Sequence, residues 1–187
     1  SAIDAVLHLL GKHHSLTEVD LYNLNLCDQG AEKLSEIIDT NATLETLYLE
    51  SNNITGYGGE ALLRALCSNI GIKTISLAHN PIGRGRGVGN GAVSEIVGLL
   101  QLNNSLESLD ICDCDLNGFS PVGKGYDKYV EQLINLLRAR TYSQSFKNLR
   151  LYDNVRLPKA ILRALRDVAE PPLVIDFFPP NKHGDLG

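Results

Sequence analysis

One pattern recurs five times along this chain, and it constrains the fold more than any composition figure does. SLTEVDLYNLNL starts at Ser15, TLETLYLESNNI at Thr43, GIKTISLAHNPI at Gly71, SLESLDICDCDL at Ser105 and a weaker SFKNLRLYDNVRL at Ser145. The starts lie 28, 28, 34 and 40 residues apart. Each copy reads L-x-x-L-x-L-x-x-N/C-x-L: Leu44, Leu47, Leu49, Asn52 and Ile54 in the second, Ile72, Ile75, Leu77, Asn80 and Ile82 in the third, and Leu106, Leu109, Ile111, Cys114 and Leu116 in the fourth. The first copy has Leu24 at the Asn/Cys place, and the fifth slips by one after Asn154 to end on Leu157. Such departures suit the outer units of a stack.

Within each copy the apolar residues alternate, as in a short strand buried on one face. After it the period becomes helical: Leu34, Ile37 and Ile38, then Leu62 and Leu66, fall on one face. Gly30 and Gly56 to Gly59 read as the turns before those helices. A strand followed by an antiparallel helix cannot bury its apolar face alone, so copies must stack with strands parallel in one sheet and helices on the other side. Strands sit about 4.8 Å apart and packed helices roughly 8–10 Å apart. That mismatch bends the stack, with strands on the inside of the arc. Asn52, Asn80 and Asn154 are placed to satisfy backbone groups where the strand turns inward, and Cys114 can fill the same place as a small weak donor.

This pattern resembles the leucine-rich repeat, and a 28-residue period with a helix in each unit is similar to the ribonuclease-inhibitor subclass. The resemblance covers residues 3 to 178 and implies an α/β leucine-rich repeat solenoid: a horseshoe arc with parallel strands on the concave face and helices on the convex face. One domain, 1–187, is expected. Residues 1–14 form a partial N-terminal repeat with Ile3, Val6, Leu7 and Leu10 on one helical face, and His13 and His14 at its C-terminal end. Residues 15–157 hold about five repeats, with insertions near 83–91 and 117–128. Residues 158–187 form a C-terminal cap and tail: Pro158 opens a helix carrying Ile161, Leu162 and Leu165, and PPLVIDFFPP supplies a last strand bracketed by prolines, which discourage further pairing.

The resemblance implies a non-enzymatic module that binds a protein partner. LESNNITGYGGEALLRAL and GNGAVSEIVGLLQLNNSLESL are similar to repeats of the tropomodulins, which cap actin filaments, although GKGYDKYVEQL departs from them. A tropomodulin-like actin-binding or capping domain is therefore one alternative. A GTPase-activating leucine-rich repeat protein is another; the Ran activators are similar in repeat type, but their array is longer and no residue here carries over a catalytic role. Nucleotide-binding immune receptors and bacterial effectors also carry such arrays.

Composition narrows the partner class. The 187 residues are 43% hydrophobic and carry a formal charge of -5, with a pI near 5.5. That balance argues against a dedicated nucleic-acid or membrane-surface binder, which needs a basic footprint. The charge is also polarised. Residues 1–60 contain ten acidic and two basic side chains, whereas 138–166 contain eight basic and one acidic. No apolar run approaches the roughly 20 residues of a membrane span, and no signal-like segment leads the chain. Cys27, Cys67, Cys112 and Cys114 lack disulfide-framework spacing, which favours a reducing, cytoplasmic setting. Asn41, Asn53 and Asn103 begin N-x-[ST] sequons without an export signal to support them. The absence of any methionine reads as a processed or excised chain.

GRGRGVGNG, residues 83–91, invites a phosphate-loop reading. Ile54 precedes Leu62 by eight residues but Ile82 precedes Ile96 by fourteen, so six residues are inserted here. Gly87, Gly89 and Ala92 make only a weak dinucleotide fingerprint, and no Walker motif exists. Since every strand in this architecture is followed by a loop and a helix, the context carries no phosphate signal. A flexible rim loop bearing Arg84 and Arg86 is the expectation, with a second insertion, FSPVGKGYDK, on the same rim. No cofactor and no small-molecule substrate is implied. Cys112 and Cys114 lack the second ligand pair that zinc needs. Ser76 and His79, with Asp110, do not make a triad, because three strand residues span about 10 Å and a nucleophile and its base need about 3 Å.

Register yields the candidate site. Equivalent positions in successive strands are lateral neighbours, which gives one row of Thr17, Glu45, Lys73, Glu107 and Lys147, a ladder of exposed ion pairs. The next rows are Asp20, Tyr48, Ser76, Asp110, Arg150 and Tyr22, Glu50, Ala78, Cys112, Tyr152. Tyrosine and arginine on a rigid open surface supply binding hot spots. The predicted partner-binding set is Asp20, Tyr22, Tyr48, Glu50, Ser76, His79, Asp110, Asp113, Arg150 and Tyr152.

Overall fold

The computed structural model describes residues 2–13, 15–84, 91–116, 128–139, 141–154, 159–169 and 171–176. Helices and strands alternate: α1 (Ala2–Lys12), β1 (Glu18–Asp20), α2 (Cys27–Thr40), β2 (Thr46–Tyr48), α3 (Gly56–Ser68), β3 (Thr74–Ser76), α4 (Gly91–Leu102), β4 (Ser108–Asp110), α5 (Lys128–Ala139), β5 (Asn148–Arg150), α6 (Lys159–Val168) and β6 (Val174–Asp176). The strands form one six-stranded parallel sheet in chain order. This is the α/β leucine-rich-repeat solenoid that the resemblance implies, built from the stacked strand–helix units that the periodicity predicts.

Alternation within each strand positions the core. Leu47, Ile75, Leu109 and Leu149 are fully buried beneath the helices, and Leu49, Leu77, Ile111 and Leu151 repeat the arrangement two residues on. Each such side chain contributes about 1.5–3 kcal/mol of burial. Val19, in the same place on β1, is only partly buried, since β1 is the edge of the described sheet.

The asparagine ladder holds the strand exits together. Asn80 Nδ2 donates to the carbonyls of Leu49 (2.8 Å) and Leu77 (2.9 Å), while its Oδ1 accepts from the Asn52 and Ile54 N–H groups at 2.8 and 3.1 Å. Asn52 serves Leu21, Leu49, Leu24 and Leu26 in the same way, and Asn154 serves Ile111, Leu151, Cys114 and Leu116. Cys114 takes the place with its thiol, 3.2 Å from the Leu77 carbonyl. The thiol lacks a carbonyl oxygen to receive the Ile82 N–H, which turns instead to Asn80 O at 2.7 Å.

A second ladder, unread in the sequence, ties the ends of α2, α3 and α4 to the strands that follow them. Asn69 Nδ2 donates to Ile38 O and Asn41 O, both at 2.7 Å, and its Oδ1 accepts from Gly71 and Ile72. Asn103 repeats this on Leu66, Asn69, Ser105 and Leu106. Asn41 and Asn103, which head two sequons, are thus buried structural residues.

Two further expectations need correction. Gly30 and Gly56 to Gly59 are not turn residues but lie inside α2 and the first turn of α3. Their role is close approach: a Cβ at Gly58 would stand 2.8 Å from both Ala31 Cβ and Asp28 Oδ1, and one at Gly59 would stand 2.6 Å from Ile82 Cγ2. On α1, Leu7 and Leu10 are buried, but Val6 is 37% exposed and does not join their face. The Ile3 side chain, His14, Arg86, Leu157, Pro158, the inserted segments 85–90 and 117–127, and the tail lie outside the described residues, as do the side chains of Ile161 and Leu162.

Candidate functional site: the concave face of the sheet

The predicted rows form. Asp20 pairs in register with Tyr48, Tyr48 with Ser76, Ser76 with Asp110, Asp110 with Arg150, and Arg150 with Asp176. Since Val19, Leu47 and Ile75 point to the helices, these side chains face the opposite, concave side. Asp176, on the sixth strand, extends the row beyond the five members read from the repeat alone.

The turn after each strand is set by backbone conformation. Asn23, Ser51, His79, Asp113 and Asp153, at one equivalent place, all have φ between 49° and 58°. Asn and Asp tolerate this left-handed region better than other residues with side chains. Asn25, Asn53 and Asp115 repeat it two residues later. Pro81 occupies that second place in the third unit, and its ring fixes φ negative, so the chain leaves the common path just where the glycine-rich insertion follows. Gly83 then sits so close to Asp115 that a Cβ would meet Asp115 O at 1.7 Å. Arg84 pairs with Asp115 at 2.5 Å across the rim.

Charge on the concave side divides into two halves. Towards the C-terminal end the ionic groups are paired internally. Arg150 binds Asp110 at 2.6 Å, lies 3.8 Å from Asp176, and stacks 5.2 Å above the Tyr152 ring. Lys147 meets Glu107 at 2.8 Å and Lys73 meets Glu45 at 2.7 Å. The Lys147 ammonium, with Lys73 behind it, holds the Glu107 carboxyl below the usual glutamate range. His79 Nδ1 contacts Asp113 at 2.9 Å. Towards the N-terminal end, Glu18, Asp20 and Glu50 have no basic partner among the described residues, and Asp20 accepts from the Tyr22 N–H at 2.8 Å. Glu18 belongs to a row that the repeat reading passed over, two residues before Asp20 on the same face. Tyr22 is 57% exposed.

The centre is recessed. Ser76, Ala78, Asp110 and Cys112 are all buried, so Ser76 and Asp110 of the predicted set present little surface, and the accessible members are Asp20, Tyr22, His79 and Asp113, with Tyr48, Glu50, Arg150 and Tyr152 half-buried. The Ser76 hydroxyl has no hydrogen-bond partner among the described residues. Burial, and next the Asp110 carboxylate, push the Cys112 thiol far above the ordinary cysteine range; burial does the same to Cys114. Ser76 and His79 engage no common partner, because His79 turns to Asp113. Among the described residues, no group of three or more His, Cys, Asp or Glu is arranged to hold a metal ion, and no helix is long and apolar enough to cross a membrane.

No family model matches the sequence. Among solved structures, leiomodin-1 actin-binding site 2 superposes with a TM-score of 0.63 at 15% identity, covering 90% of this chain and 87% of that one. The C-terminal domain of tropomodulin from Caenorhabditis elegans matches at a TM-score of 0.39 and 14% identity, over 75% of this chain and 98% of that one. At these identities the first likeness bears on the fold, which it shares, and the second carries no further argument.

Proposed function

We propose that this chain is a non-enzymatic protein-binding module that takes up one protein partner on its concave sheet and the adjoining rim. The observation that carries the reading is the lateral register of Asp20, Tyr48, Ser76, Asp110 and Arg150 on one backbone-fixed surface. A surface fixed in this way loses little conformational freedom on binding, and its tyrosines and arginine are the types that anchor interfaces. The four free cysteines support a cytoplasmic setting, and the unbroken strand order supports one domain over 1–187. The GTPase-activator alternative draws no support from the concave Arg150, which is committed to Asp110, Asp176 and Tyr152.

The test is affinity capture with the wild type and with a Tyr22→Ala/Tyr48→Ala variant of unchanged circular dichroism. Recovery of the specific partner should fall about tenfold, the size of a modest hot spot. Equal recovery would remove the concave face as the main contact. A second reading, an actin-binding domain, is favoured by the 90% coverage against leiomodin-1 actin-binding site 2. It is checked by co-sedimentation with filamentous actin and gel filtration with monomeric actin; absence from both the pellet and the complex peak would exclude it.

A further inference from the structure

We infer that the concave face of β1 to β3 receives a basic segment of the partner protein, with an arginine or lysine side chain held by the Asp20 and Glu50 carboxylates and the Ser76 hydroxyl. This rests on the concave-face reading above and adds the chemistry of what docks there.

The first support is the chain's own charge pairing. Lys73, Lys147 and Arg150, on the sheet and its lip, each contact a carboxylate. Among the described residues, Glu18, Asp20 and Glu50 contact no cation, so negative charge on the first two units remains uncompensated.

A second support is an internal precedent. At the other end of the same rows, Arg150 lies between Asp110 and Asp176 and over the Tyr152 ring. β1 and β2 present the same residue types: Asp20 stands in the Arg150 row and Tyr22 in the Tyr152 row, with Tyr48 and Glu50 beside them. Among the described residues, no cation of the chain's own pairs with the carboxylates at that end. A guanidinium there gains charge-assisted hydrogen bonds and an aromatic face at once.

Ser76 gives an independent indication. It is 5% exposed, and its hydroxyl is the buried polar side-chain atom without a partner among the described residues. Because Ile75 and Leu77 are buried on either side of it, the hydroxyl faces the concave side, laterally next to Tyr48. It is covered in the free chain, so a docking cationic donor reaches it only as a neighbouring side chain shifts, and it then accepts a hydrogen bond that no described side chain supplies.

The probe is a short fluorescein-labelled peptide of alternating arginine and serine, titrated by anisotropy against the full chain, with a glutamate-for-arginine peptide as control. The arginine peptide should bind, with affinity falling as salt rises, and the glutamate peptide should not. An Asp20→Asn/Glu50→Gln variant should weaken binding about tenfold, while Glu32→Gln/Glu36→Gln, which removes equal charge from helix α2, should leave it unchanged. Ser76→Ala should weaken binding severalfold without lowering the melting temperature. Full affinity in the concave double variant or in Ser76→Ala, or an equal loss in the helix variant, overturns the inference. If the concave carboxylates prove dispensable while Tyr22→Ala/Tyr48→Ala loses its captured partner, the concave reading stands and the basic chemistry falls.

Discussion

A buried amide that serves four backbone groups is worth more than its side-chain volume. Replacing Asn80 with alanine leaves the Asn52 and Ile54 N–H groups and the Leu49 and Leu77 carbonyls without that partner, in a place closed to water. The expected cost is roughly 2–4 kcal/mol of unfolding free energy by urea denaturation. A change below about 0.5 kcal/mol would mean that the ladder is decorative. On the lip of the sheet, the charge of Glu107 has a consequence for pH. Its carboxyl is held below the glutamate range first by the hydrogen bond and charge of Lys147, then by Lys73. A depressed folded value contributes stability that is present above the unfolded pKa and is lost as pH falls through the folded value. The pair is exposed, so the contribution is small. The clean readout is an NMR titration of Glu107: Lys147→Ala should return its midpoint towards the ordinary glutamate value, and an unmoved midpoint would contradict the pairing.

At the scale of helices and strands, period and register were legible because apolar spacing follows directly from the geometry of each element. The glycines were not. Glycine signals a turn in sequence, yet Gly58 and Gly59 belong to α3 because the helix start presses against Ala31, Asp28 and Ile82. Asp28 shows how close that seam is, since it accepts from the Thr55 N–H and hydroxyl, both at 2.7 Å, and from Gly58 N–H at 3.1 Å. The second asparagine ladder was missed for a related reason: Asn41, Asn69 and Asn103 each precede a core residue by three positions, but two of them read as sequons when taken singly. These contacts separate two substitutions that helix propensity alone would rank together. Gly58→Ala should destabilise by about 1–3 kcal/mol, overpacking outweighing propensity, whereas Gly98→Ala in α4, with nothing within 4 Å of its new Cβ, should stabilise by about 0.5–1 kcal/mol. Thermal melts of the two variants check the sign, and two shifts in the same direction would refute the account.

Over the whole molecule, strand order equals chain order, so the acidic first third and the basic last part of the sequence become opposite ends of one arc. Which carboxylates stay uncompensated could not be read from that polarity alone. It depends on Arg150 reaching both Asp110 and Asp176, and the latter sits on a strand whose bounding prolines hide its register. The same linear order means that each unit is stabilised by its neighbours, and an end unit has only one. Three leucines at one repeat position isolate that effect without changing residue type. Leu44 and Leu106 are each 2% exposed, flanked by units on both sides, while Leu16, on the first unit, is 39% exposed. Truncating Leu44 or Leu106 to alanine should cost about 2–5 kcal/mol, the transfer term plus a cavity. Leu16→Ala should cost less than about 1 kcal/mol, because much of that side chain already meets water. Equilibrium urea unfolding of the three variants measures the gradient, and hydrogen exchange should follow it, with Leu47 and Ile75 amides among the last to exchange and Val19 among the first. Equal costs at all three leucines would mean that the first unit is packed as tightly as the interior ones, and the stack would then have to be treated as a single cooperative core instead of a row of coupled neighbours.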